Sequence, residues 1–213
     1  MKKLSVIAML VCAAVFFVSC DKNDTTITVN TVTSSTVNSL PADTILGLAN
    51  GQPYGAGKFT FYSLTNNKVV ASTDSNSVNW DIAFRGTTII TNGGNSGPGA
   101  GGAFVYTGTF DALTTIPADS TFKVDNAPSS YAITTGSKKG WYVYDFVNNL
   151  ITPIPGRVLV IRTATGKFAK VEILNYYKGG ITPAASDSDA IKTHNQRYYT
   201  FRYSYQANGT KVF

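Results

Sequence analysis

Asn79-Trp80-Asp81-Ile82-Ala83-Phe84-Arg85 decides the class of fold. Trp80, Ile82 and Phe84 fall on one side and Asp81 and Arg85 on the other, the period of a strand with one face in a core and the other in water. Working outward, Lys58-Phe59-Thr60-Phe61-Tyr62 repeats the alternation. Residues 103–110, 141–146, 157–163, 168–176 and 198–206 are further short runs rich in β-branched and aromatic residues, bounded by Gly, Pro, Asn or Asp. Val158-Leu159-Val160-Ile161 is apolar at every position, which predicts a central strand covered on both faces. No long helical period is present, and the best helix candidate is the short stretch 183–193. The chain therefore reads as all-β, with one domain over residues 40–213.

The N-terminus is of another kind. Met1-Lys2-Lys3 is basic, and residues 4–18 are apolar except for Ser5, the makeup of a signal peptide and too short to span a bilayer. Phe17-Val18-Ser19-Cys20 resembles a bacterial lipobox in the looser form seen in Bacteroidetes. Residues 1–19 are thus expected to be a lipoprotein signal peptide, and Cys20 the lipidated first residue of the mature chain. Asp21-Lys22-Asn23-Asp24 looks like the acidic signal that directs such lipoproteins to the outer face of the outer membrane. Residues 20–39, with Thr25, Thr26, Thr28, Thr31, Thr33 and Thr36 and few large apolar groups, read as a flexible or extended tether.

Composition narrows the function. The two cysteines are Cys12, inside the signal, and Cys20, so the folded part holds no disulfide and no thiolate metal site. Loss of Lys2 and Lys3 with the signal lowers the formal net charge from +6 to +4. The longest basic run is Lys138-Lys139, which argues against nucleic acid. Gly93-Gly94-Asn95-Ser96-Gly97-Pro98-Gly99-Ala100-Gly101-Gly102 contains a G-x-G-x-x-G pattern, but a strand follows it where a dinucleotide site needs a helix. A surface loop of unusual backbone is the expectation. His194 is the single histidine, and Lys192-Thr193-His194-Asn195-Gln196 holds no nucleophile elbow or paired-ligand motif. No enzyme is expected.

Several stretches carry a family resemblance together. They are Asn79-Trp80-Asp81-Ile82-Ala83-Phe84-Arg85-Gly86 with Asn92-Gly93-Gly94, Gly140-Trp141-Tyr142-Val143-Tyr144, and Ile151-Thr152-Pro153-Ile154-Pro155-Gly156-Arg157 leading into Thr163-Ala164-Thr165-Gly166-Lys167-Phe168-Ala169-Lys170. Tyr176-Tyr177-Lys178 and Arg197-Tyr198-Tyr199-Thr200-Phe201-Arg202-Tyr203 complete the set. In order and over nearly the whole domain, they resemble the HmuY family of Bacteroidetes haem-binding surface lipoproteins. The resemblance implies a single antiparallel β domain with little helix. It also implies haem capture (hemophore-like) at the cell surface and transfer to a TonB-dependent outer-membrane receptor.

Haem-binding members resemble one another in supplying two axial His or two axial Met residues. The positions implied here are near Asn148-Asn149-Leu150 and between residues 117 and 131. Residues 117–150 contain neither His nor Met. The remaining side chains able to hold haem iron are Tyr131, Tyr142, Tyr144 and His194. Under the resemblance, Phe122, Tyr131, Tyr144 and Phe146 would line the pocket beside Asn148 and Asn149, with Lys138 or Lys139 near the propionates. Without the usual ligand pair, a binding module for a glycan, a metal-free porphyrin or a protein partner stays open beside haem.

Overall fold

A computed structural model describes residues 32–213; Cys20, the signal and the first part of the tether lie outside the described residues. Following the chain, β1 (Val32–Pro41) leads into a small hairpin of β2 (Gly47–Ala49) and β3 (Gln52–Tyr54). Then come β4 (Thr60–Ser63), β5 (Lys68–Val70), β6 (Ile82–Arg85), β7 (Thr88–Thr91) and β8 (Gly102–Thr107). A second small hairpin pairs β9 (Tyr142–Asp145) with β10 (Leu150–Pro153). β11 (Arg157–Arg162), β12 (Phe168–Tyr177), α1 (Asp189–Asn195) and β13 (Gln196–Gln206) complete the fold. All ladders are antiparallel, and two sheets dominate, in the orders β1-β13-β12-β11-β8 and β5-β4-β6-β7.

The sheets bury one face against each other. Tyr62, Leu64, Ile82, Phe84 and Ile89 of the four-stranded sheet and its turns share a core with Leu159, Ile161, Val171, Phe201 and Tyr203 of the five-stranded one. Ring contacts bridge the gap, with centroids 5.5 Å apart for Tyr62–Phe201, 5.4 Å for Phe84–Phe201 and 4.7 Å for Phe84–Tyr199, within the range where aromatic pairs attract. The outer face of the larger sheet is covered as well, because Val158 and Val160 pack under Phe110, Leu113 and Ile116. Coverage on both faces explains the unbroken apolar run of β11, which lies between β12 and β8.

Three expectations change. First, Trp80 does not share a face with Ile82 and Phe84. The strand begins only at Ile82, and Trp80 packs with Ala83 and Ile90 on the outer side of its sheet. Asp81, expected in water, is buried. Its carboxylate accepts from the backbone N–H of Leu64 (2.8 Å) and of Ala164 (3.1 Å), joining turns that belong to different sheets. Burial raises its pKa above the ordinary carboxylate value, against the opposing pull of these backbone donors. Second, residues 32–39, read as tether, are most of β1. β-branched Val and Thr suit a pleated surface, and without β1 the backbone edge of β13 would be unpaired. Third, the helix is shorter than its candidate stretch. It starts where the Ser188 hydroxyl accepts from the Ile191 N–H and ends at Asn195.

Candidate ligand-binding site

Several recesses mark the surface of the sandwich, and the largest of those described is built from the two small hairpins and α1. In the β9–β10 hairpin, the Asp145 carboxylate accepts from Val147 N (2.9 Å), Asn148 N (3.3 Å) and Asn148 Nδ2 (2.7 Å), an Asx-type turn. These bonds, that of the Asn148 side chain foremost, hold its pKa below the usual value. Asn149 closes the turn with φ +55°. The geometry throws the tip residues outward, leaving Phe146 81% and Val147 76% exposed. Beneath the hairpin the Tyr177 hydroxyl accepts from Ile151 N at 2.8 Å, and burial pushes that phenol's pKa up. Lys192 of α1 reaches the same turn: this buried side chain donates through its ammonium to Asn148 O (2.7 Å) and Ala185 O (2.8 Å).

The opposite wall is the β2–β3 hairpin. Asn50 (φ +50°) and Gly51 (φ +77°) occupy the left-handed positions that a tight two-residue hairpin turn requires. Leu46 and Leu48 stand 66% and 62% exposed. Between the walls lies a cleft of about 1130 Å³, and His194 borders it from α1. Leu46, Leu48, Tyr144, Phe146 and Val147 converge on this one concavity. Exposed apolar side chains scattered singly need no explanation, but a cluster around a cleft makes that cleft a candidate site for an apolar ligand.

The candidate residues separate in space. Tyr142, Tyr144, Phe146, Asn149 and His194 line the cleft. Asn148 is not part of the lining; its carbonyl accepts from Lys192, which is. The Tyr144 hydroxyl is engaged, donating to Asn149 Oδ1 at 2.7 Å. Lys138 lies outside the cleft, its backbone N–H donating to Tyr142 O. Lys139 borders a different recess with Lys123 and Tyr131. Phe122 is also outside. It packs against Phe104 and Phe168, at 5.1 and 5.6 Å between centroids, because its segment crosses the larger sheet through the Ala103–Lys123 bridge. The segments 117–131 and 144–149 thus line separate recesses. Leu46, Leu48, Val147 and Lys192 were not among the sequence candidates. Asn50-Gly51 was a readable hairpin signal for the first two.

The second recess, about 530 Å³, is a trough floored by Phe59, Phe61 and Ile90 and walled by Tyr131 and the glycine loop. The loop is packed rather than free. Asn92 is buried at its base, donating to Ser77 O and Trp80 O (2.8 Å each) and accepting from Gly99 N (3.0 Å). A Cβ at Gly97 would meet the Trp80 ring at 2.7 Å, so only glycine fits there. Asn95 exchanges two bonds with the Ala127 backbone, at 2.7 and 2.6 Å. Buried Asp125 accepts from Thr91 N (2.8 Å) and Ala132 N (2.7 Å).

The family model described as HmuY protein matches residues 56–203. No curated protein matches the chain. Among solved structures, a chain assigned as a lipoprotein from Bacteroides fragilis is 17% identical, with a TM-score of 0.46 over 83% of this chain and 90% of that one. A chain assigned as an HmuY-like heme binding protein from Bacteroides vulgatus is 16% identical, with a TM-score of 0.45 over 81% and 90%. The apo HmuY analog of Tannerella forsythia is 17% identical, with a TM-score of 0.44 over 82% and 95%.

Proposed function

The chain belongs to the HmuY protein family, and from that premise we propose that it captures haem in the cleft between its two small hairpins and α1. In this reading the protein is a lipoprotein held by Cys20 at the outer-membrane surface, and it passes haem to an outer-membrane uptake receptor. The observation that carries the reading is the convergence of exposed Leu46, Leu48, Phe146 and Val147 on one concavity. A flat apolar macrocycle would remove these side chains from water, each contributing about 1.5–3 kcal/mol on full burial.

The donor set bears on the iron. His194 is the single imidazole at the cleft, and the Tyr144 hydroxyl is already bonded to Asn149. His194 is the residue that would hold the iron, with apolar contact supplying the rest of the affinity. Bound haem would bring redox-active iron, and these residues would orient the ring and shield it from water. The absence of His and Met from residues 117–150 favours a second reading, a tetrapyrrole held without a protein–iron bond.

Titration with haemin separates the readings. Haem capture through His194 predicts a saturable Soret shift that His194→Ala reduces or moves to the position of unligated haem. Metal-free protoporphyrin binding as tightly as haemin, with spectra unchanged by His194→Ala, would select the second reading. No saturable change with either compound would rule out both.

A further inference from the structure

We propose that the trough beside the glycine loop is a second binding site, independent of the haem cleft, and that it takes a neutral saccharide ring.

The trough is composed for such a ligand. Phe59 and Phe61 lie on its floor with centroids 6.4 Å apart, and Tyr131 forms a wall. A pyranose presents polarised C–H bonds on its ring faces, which match the negative face of an aromatic ring. Its hydroxyls point outward around the ring and need partners. The lining holds them unspent: the side chains of Asn76 and Ser96 and the hydroxyl of Tyr131 make no hydrogen bond to any described residue. Among the described residues no charged side chain lines the trough, which disfavours an ionic ligand. Arg85 is stacked on the Phe59 ring at 4.3 Å and is not part of the lining. The rim is made of loops, with the turn at 75–76 on one side and residues 94–98 and 127–131 on the other.

The walls are also fixed before any ligand arrives. Asn92 ties the glycine loop to the Ser77 and Trp80 carbonyls, Trp80 Nε1 donates to Ser75 O at 2.9 Å, and Asn95 clamps Ala127. Three loops distant in sequence are thereby set around one aromatic floor. Preorganisation of this kind reduces the ordering cost of binding a small, flexible, weakly apolar ligand.

A glycan array probed with the purified full chain tests the assignment, followed by calorimetric titration of the strongest neutral oligosaccharide. Asn76→Ala and Tyr131→Phe each remove one free hydrogen-bonding group and leave the packing intact. Each should weaken binding about 3- to 10-fold, as expected for one hydrogen bond, while Phe146→Ala in the other recess leaves it unchanged. Failure of every neutral glycan to bind overturns the proposal. So does binding indifferent to both trough variants, or binding confined to acidic glycans and lost in Lys123→Ala. A protein that binds haemin but no glycan loses only the trough assignment, and the reverse result loses only the haem cleft.

Discussion

The two recesses are made in opposite ways. Around the trough, buried side chains do the joining: Asn92 and Asp125 spend their hydrogen-bonding capacity on backbone groups of other segments. Around the cleft the walls are two short hairpins that leave Leu46, Leu48, Phe146 and Val147 in water, and one buried lysine fastens the turn at 145–149. The contrast teaches that a concave surface can be a by-product of fold-determining contacts or a place where apolar surface is left over. In the first, binding residues and stability residues are neighbours. In the second they are nearly separate sets.

Mutation can break that contrast. The largest effect is expected from Asn92→Ala, which leaves the Gly99 N–H and two carbonyls without their partner. It should cost about 3 kcal/mol and lower the thermal midpoint by roughly 6–12 °C for a domain of this size, as read by calorimetry. A midpoint within a degree of the parent would mean that the loop is not held through Asn92. Next in size is Lys192→Met, which keeps the buried stem and removes the ammonium. A loss of about 1–2 kcal/mol is expected, with faster hydrogen exchange at the amides of 145–149 and unchanged exchange at 92–99. Equal acceleration in both segments would show the recesses to be coupled. The smallest effect on stability belongs to Phe146→Ala, within about 0.5 kcal/mol for so exposed a residue. Haemin affinity should nevertheless fall about tenfold or more from the lost apolar contact. A destabilised Phe146→Ala protein with unchanged affinity would reverse the division of labour.

The same division governs what the sequence discloses. β4, β6, β8 and β11 to β13 are visible as alternation or apolar runs because each strand's pattern is set by what covers its own two faces. The two-faced burial of β11 is readable for that reason. Asp81 is not readable: its partners, Leu64 and Ala164, are distant in sequence, and a polar residue at an alternating position looks solvent-facing until those N–H groups are placed beside it. Asn92 sits in the same blind spot. Of the cleft, Tyr144, Phe146, Asn149 and His194 are legible from family resemblance and residue chemistry. The opposing Leu46 and Leu48 lie at a three-residue strand pair too short for periodicity to register, with Asn50-Gly51 as its one local signal. Thr-rich 32–39 deceives in the other direction. A polar, low-complexity stretch becomes a strand because β13 offers it an edge.

That edge strand has a mechanical meaning. Val32, at the start of β1, pairs with Gln206, at the end of β13, and the ladder runs on to the Pro41–Tyr198 pair with one irregularity between Val37 and Leu40. A load drawn through the segment before Val32, along the strand axis, falls on many rungs together and does not peel them one at a time. Resistance then depends on the rate of unfolding more than on equilibrium stability. The irregularity divides the seam into a longer section at the Val32 end and a short one at Leu40–Pro41, so a tug reaches the region of Asp43 and the β2–β3 hairpin only after the longer section has given way.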